Sequence, residues 1–293
     1  MNKSIDPFKL FEYNPENVER QLNWIDTLST TITEIGKTYD GVKGSKIGGI
    51  RTFVFLDILQ RINYNLEGLV QLYNQFIVQE DMRFPINMLF RGCLSDVLTG
   101  LYFLHFFEDE NSFINEINVM NLDFAKFSKF IIENEPYIIK TIDEEKIEEF
   151  IQFNKEKYIK SNPVLFRSEN DWEIKKALEL RTDSVDKFFI NAKNKNGDIN
   201  ESTKFDVILS NENLKHLTPT YLLFRYFSQY QHYSFNGRKT LIIDTEYDIQ
   251  KYFVTIMMIN ESIHMFCKII GVKDEMLVHL REIADEYINL SSE

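Results

Sequence analysis

Apolar positions return every three or four residues along most of this chain, the period of a helix with one buried face. Asn14-Pro15 supplies an N-cap residue and a first-turn proline, and Val18, Leu22, Ile25, Leu28, Ile32 and Ile35 then hold a helical register. Five glycines between Gly36 and Gly49, interleaved with Lys37, Lys43 and Lys46, predict a flexible basic loop. A long helix is predicted from Ile50 to about Gln79, a break over Asp81 to Pro85, and a strongly apolar helix from Ile86 to about Phe107.

The middle of the chain is more charged. Asn111 to Asn134 reads as shorter helices around Phe113, Ile117, Phe124 and Phe127, stopped before Pro136. Glu144 to Ile159 predicts an amphipathic helix ending at Asn162-Pro163, and Glu169 to Asn191 one or two more. Asn191 to Asn200, rich in Asn, Lys and Gly, predicts a disordered loop. Residues 136–215 thus read as a charged peripheral helical layer, or an insertion, within a single domain spanning 1–293.

Thr218-Pro219 repeats the N-cap and proline signal and opens a helix predicted to run to Ser234. Leu241 to Ile243 is a short β-like run ahead of Thr245-x-x-Asp248, which resembles a capping box. A helix from Glu246 to Ile270 should stop at Gly271, and Lys273 to Leu290 should form the last. The fold class that follows is all-α: a multi-helix bundle with an apolar central helix pair and at most a minor strand element.

Composition supports long helices, because eleven Gly and six Pro in 293 residues are few. Cys93 and Cys267 both lie in apolar runs, which fits two buried thiols in a reducing cytoplasm better than a disulfide framework. Met1 to Pro15 lacks the apolar stretch of a signal peptide. Met88–Phe107 and Tyr252–Gly271 approach membrane-span length, but Arg91, Asp96 and His105 interrupt the first, and Glu261, His264 and Lys268 the second. Ionised groups at mid-bilayer cost roughly 2.5–3.5 kcal/mol each, so central core helices are expected and a membrane partner is not.

Charge changes the picture near the C-terminal third. The net charge is -12, yet the 31 residues from Asn213 to Ile243 contain no Asp or Glu and do contain Lys215, His216, Arg225, His232, Arg238 and Lys239. A positive island of this kind is where an anionic ligand could approach an acidic chain. At 100° per residue, Tyr221, Arg225, Ser228, Gln229 and His232 share one face of the predicted helix. Leu222, Leu223, Tyr226, Phe227, Tyr230 and Tyr233 cover the other. Arg225 and His232 would stand two turns, about 10.5 Å, apart. A guanidinium offers a planar fork for phosphate, and an imidazole serves as acid or base near neutral pH. Ser228 would orient the ring or bind an oxyanion. The alternative is a buried polar seam, with Arg225 on a carboxylate and His232 on a carbonyl. Arg91, with Ser95, Tyr102 and His105 near one face of the earlier apolar helix, predicts a second seam facing the first.

Two other motifs fall away. Gly36-Lys37-Thr38 lacks both the upstream glycine, Thr31 standing there, and the preceding strand that a phosphate loop requires. Glu261-x-x-His264 has no second such pair to complete a di-iron site. No cofactor or metal is expected.

The segment from Arg225 to His232 resembles the Arg-x(4–6)-His signature of HEPN domains, helical ribonucleases of bacterial toxin and antiviral systems. Arg91-x-x-x-Ser95, followed later by Ser228-x-x-x-His232, is similar to a broad group of bacterial helical proteins near that superfamily. There an Arg-x-x-x-Glu helix precedes a Tyr-rich Ser-x-x-x-His helix; here Ser95 stands at the Glu position, and Tyr226 where HEPN nucleases carry a polar residue. The resemblance implies a metal-independent endoribonuclease in which Arg225 holds the scissile phosphate and His232 assists attack by the 2′-hydroxyl. Ser228 and Gln229 would support that geometry, with Tyr221, Lys215, Arg238 and Lys239 lining the RNA-binding surface and a homodimer completing it. The competing expectation is a non-catalytic interaction or sensor protein whose basic window binds an anionic ligand or a protein partner.

Overall fold

The computed structural model describes residues 12–39, 49–139, 143–168, 171–181, 197–230 and 245–292. Among them the chain is almost entirely helical, with one two-stranded sheet. It divides into two compact units, residues 1–105 with 208–293, and residues 106–207.

The first unit contains α1 (Pro15–Tyr39), α2 (Gly49–Phe76) and α3 (Arg83–His105), and later α8 (Pro219–Ser228), α9 (Thr245–Ile269) and α10 (Val278–Ser292). Asn14 caps α1 as its sequence suggests, its side-chain oxygen accepting the Asn17 N–H at 2.9 Å. Gly271 ends α9 at φ +78°: Val272 N–H reaches the Cys267 carbonyl at 2.9 Å and Gly271 N–H that of Lys268 at 3.0 Å, the paired bonds of a Schellman stop. The capping box expected at Thr245-x-x-Asp248 gives way to tertiary partners. Thr245 donates instead to Glu80, and the Asp248 carboxylate receives two tyrosines. The basic loop expected from Gly36 also starts later, since α1 continues to Tyr39.

α3 packs against α2, α8 and α9, and its aromatic core explains that position. Phe90 stacks on Phe227 of α8 (centroids 5.8 Å) and tilts against Tyr252 of α9 (5.1 Å), with Tyr73 of α2 edge-on to both. All four are fully buried. The expected contact between the two apolar helices is therefore present. No described helix is long and apolar enough to cross a membrane. Cys93 and Cys267 are free and buried; burial pushes the Cys267 thiol up to about 12 and holds that of Cys93 well above its ordinary value.

The second unit holds α4 (Glu110–Ile139), α5 (Ile147–Ser161), β1 (Phe166–Ser168), β2 (Asp171–Ile174), the single turn α6 (Ala177–Leu180) and most of α7 (Glu201–Ser210). Two expectations are corrected here. α4 is one helix that passes through Pro136 rather than stopping before it; the proline falls in the last turn, where few ladder bonds remain to be broken. Residues 171–174 are a strand paired with 166–168, not helix. Phe166 stacks on Trp172 (centroids 5.3 Å) on one face, while Arg167 and Glu173 pair on the other, an alternation too short to stand out in sequence. The run Leu241–Ile243, expected to hold the minor strand, lies outside the described residues, as does most of the predicted loop Asn191–Asn200. A buried core of Val119, Leu122, Ala125, Ile159, Leu165 and Phe166 joins α4 to α5 and the hairpin.

Candidate functional site

α8 begins at Pro219 and ends at Ser228, shorter than the predicted 219–234; Gln229 and Tyr230 form a turn, and His232, Arg238 and Lys239 lie outside the described residues. The four described residues of the five grouped on one face separate in the structure. Ser228 is buried against α3, Tyr221 is half-buried with its ring stacked on Phe224 (6.4 Å), and Arg225 and Gln229 are exposed. Leu222, assigned to the buried side, is 65% exposed, and Tyr226 is half-buried. The reason is that Phe224 and Phe227 set the buried stripe by filling the aromatic core, so α8 is rotated from the orientation that its tyrosines alone suggest.

Ser228 is the hinge of the α3–α8 contact. Its hydroxyl donates back to the Phe224 carbonyl at 2.7 Å and accepts from Arg91 Nε at 3.1 Å. The Arg91 guanidinium lies over the Phe224 ring, 5.0 Å from its centroid. The two seams anticipated on these helices touch at this one bond, while Arg225 is exposed. Among the described residues Arg91 has no carboxylate partner, and neither does Arg225. A half-buried guanidinium without a counter-ion attracts an anion. Of the other seam residues, His105 Nδ1 meets Asn211 at 3.1 Å, and Tyr102 is buried.

A second polar centre lies close by along the same helices. The Asp248 carboxylate, 1% exposed, accepts the Tyr226 hydroxyl at 2.5 Å and the Tyr230 hydroxyl at 2.9 and 3.0 Å. Arg83 Nη1 stands 3.9 Å away. Burial raises the Asp248 pKa, against the lowering effect of the two tyrosines, of Arg83 and of the nearby Asn87 amide. Asn87 approaches without closing a bond of ordinary geometry, leaving both of its buried amide atoms unsatisfied by protein. Burial first, and then bonding to Asp248, raises both tyrosine pKa values, so these hydroxyls remain protonated donors.

The acid-free window is not acid-free in space. Lys215 faces Glu212 at 3.6 Å, and His216 Nε2 meets Glu261 of α9 at 2.8 Å. Two of the island's three described cations are thereby offset by carboxylates that folding or chain proximity supplies. Glu261 being turned to His216, the Glu261-x-x-His264 pair does not converge, and no group of three His, Cys, Asp or Glu able to hold a metal occurs among the described residues. Away from this region, a cleft of about 240 Å³ opens between α1 and α2, lined by Ile32, Thr33, Leu56, Leu59, Asn63 and Glu67; it includes no residue of α3 or α8.

No protein-family model, curated protein or solved structure matches the chain significantly. The site therefore stands on its own geometry. Sequence reasoning missed Asp248, read as a helix cap, and Arg83. A signal was present: Arg83, Asn87 and Arg91 recur at four-residue spacing in a largely apolar helix, which marks a polar stripe facing other protein.

Proposed function

We propose that this protein binds the phosphate backbone of RNA beside α8 and cleaves it as a metal-independent endoribonuclease, as its resemblance to HEPN proteins implies. The observation that carries the reading is Arg91, held on Ser228 and over Phe224, with no carboxylate partner among the described residues. Its terminal amino groups are suited to a phosphate oxygen, and exposed Arg225 on the same helix pair supplies a second contact. Ser228, which the sequence suggested for direct ligand work, instead orients Arg91.

In this reading His232 takes the proton from a ribose 2′-hydroxyl as that oxygen attacks the adjacent phosphorus. The bond to the 5′-oxygen breaks, that oxygen acquires a proton, and a 2′,3′-cyclic phosphate remains. Arg91 and Arg225 stabilise the charge that builds on the phosphoryl oxygens. Gln229 and Tyr221 flank the site, Lys215, Arg238 and Lys239 add longer-range attraction, and pairing of two α8 segments across a homodimer would complete it.

A second reading is a sensor that binds a small phosphorylated ligand without cleaving it. It is favoured by the pairing of Lys215 and His216 with carboxylates, which leaves a small positive field for a long polyanion. The experiment is an RNA cleavage and binding assay on the wild type, Arg91→Ala and His232→Ala, with and without chelator. Under the nuclease reading, cyclic-phosphate ends form in chelator, and His232→Ala loses about 10²–10⁴-fold in rate while still binding. Binding that depends on Arg91 without any cleavage selects the sensor. Absence of both removes the anion site.

A further inference from the structure

The last turn of α8 is held from both sides of Ser228 by hydroxyls that converge on one carboxylate. Tyr226, two residues before Ser228, and Tyr230, two after it, both donate to Asp248 of α9. Their rings are packed as well: Tyr230 against Phe84 at 5.8 Å, Tyr226 against Tyr247 at 5.7 Å, and the two against each other at 6.1 Å. Ser228 in turn sets Arg91 through the Nε bond. The stripe on α3 completes the arrangement. Arg83 stands beside Asp248, Asn87 is next, and Arg91 lies beyond it, two turns from Arg83.

This geometry divides the charges unevenly. Asp248 faces Arg83 and two neutral donors, while Arg91, on the same stripe, has a serine hydroxyl and an aromatic face. We infer that Asp248 is a positioning residue for the anion site: through Tyr226 and Tyr230 it fixes the end of α8, so that Ser228 holds the Arg91 guanidinium with its terminal amino groups directed to an incoming phosphate. The inference deepens the reading of Arg91 as a phosphate contact and rests on it for the ligand, though not for the geometry. A helix end that is free to fray loses such registration, because its final carbonyls and side chains have no ladder to hold them. Beside the backbone bonds of Gln229 N–H to the Tyr226 carbonyl and of Tyr230 N–H to that of Phe227, the hydroxyl pair adds bonds to a charged acceptor, which are shorter and stronger than neutral ones.

The test uses the full chain and two readouts. The first is the Arg91 side-chain Nε–H resonance and its exchange with water. Ser228→Ala defines the signal of the released guanidinium, and the Trp24 indole N–H, bonded to Glu286, serves as an internal control. The second is the affinity for a short single-stranded RNA oligonucleotide. In Tyr226→Phe/Tyr230→Phe, which leaves all formal charges in place, the Arg91 signal is expected to move to the Ser228→Ala position and exchange faster. The Trp24 signal should stay, and RNA affinity should fall about five- to tenfold, the equivalent of one lost ordinary hydrogen bond. An unchanged Arg91 signal in the folded double variant overturns the inference. If the double variant fails to fold, Tyr230→Phe alone retains the shorter Tyr226 bond and is read the same way. If the wild type binds no RNA while the Arg91 signal still responds to the tyrosines, the ligand reading fails and the positioning role stands.

Discussion

The ring of Phe266 on α9 lies against the bare α-carbon of Gly100 on α3. A methyl group added at Gly100 would come within 2.3 Å of Phe266 Cζ and 2.6 Å of Cε2, far inside van der Waals contact. Both residues are buried, and Phe266 also tilts against Phe55 of α2 at 5.4 Å. The absence of a side chain at Gly100 is what lets the two apolar helices approach.

Gly100→Ala should therefore cost about 1–3 kcal/mol through overpacking. Phe266→Ala should cost about 3–5 kcal/mol through the cavity it leaves. In Phe266→Leu the smaller side chain should accept alanine at position 100 more readily than phenylalanine does. Urea denaturation of the singles and of the double variant gives the coupling; simple additivity would mean that the contact does not limit helix approach.

In the second unit, Arg181 grips Glu116 with one edge of its guanidinium, Nε at 2.6 Å and Nη2 at 2.7 Å, and donates Nη1 to the Gly197 carbonyl. Both side chains are less than 5% exposed. Glu116→Gln removes the carboxylate charge from this buried pair and is expected to cost about 3–5 kcal/mol. Replacing both residues by apolar ones of similar size should cost much less. Denaturation monitored at Trp172, which lies on β2 and stacks on Phe166 of β1, checks the difference; equal losses in the two variants would assign the effect to packing alone.

His264 is expected to make the protein acid-sensitive. Burial first, and then the positive charges of Lys268 and Arg281, lower its pKa, and its buried Nε2 has no hydrogen-bond partner. With the folded value below the unfolded value of about 6.5, the unfolded chain takes up the proton first as pH falls. The stability associated with neutral His264 is thus present above about pH 6.5 and is lost as pH falls from there through the folded pKa. Melting temperatures measured from pH 7.5 down to pH 5 should decline more steeply for the wild type than for His264→Gln. Parallel declines would place the acid sensitivity elsewhere.

The candidate site shows where sequence periodicity reaches its limit. Arg225 and Ser228 are three residues apart and lie about 60° from one another on a helix, so spacing alone puts them together. Packing separates them, because Phe224 and Phe227 turn that edge of α8 inward at Ser228 and leave Arg225 in solvent. The island of positive charge is subject to the same limit. It is uninterrupted along the chain, but Glu261, 45 positions beyond His216, closes on it in the fold. Arg91 has the opposite history: 137 residues before Ser228, it becomes the guanidinium nearest to that hydroxyl.

The sequence by itself determined the helical class, most helix bounds, the Asn14 cap, the Gly271 stop and the burial of Met88–Phe107 and Tyr252–Gly271. These depend on local backbone chemistry and on a hydrophobic period that is written residue by residue. Tertiary structure decided the rest: that 166–168 pairs with 171–174, that α4 continues through Pro136, that Asp248 receives two tyrosines instead of capping α9, and that Arg91 rather than Arg225 is held on Ser228. Each of these joins groups whose partner is set by the rotation and close approach of elements distant in sequence, and that information appears only when the aromatic core fixes how the helices sit.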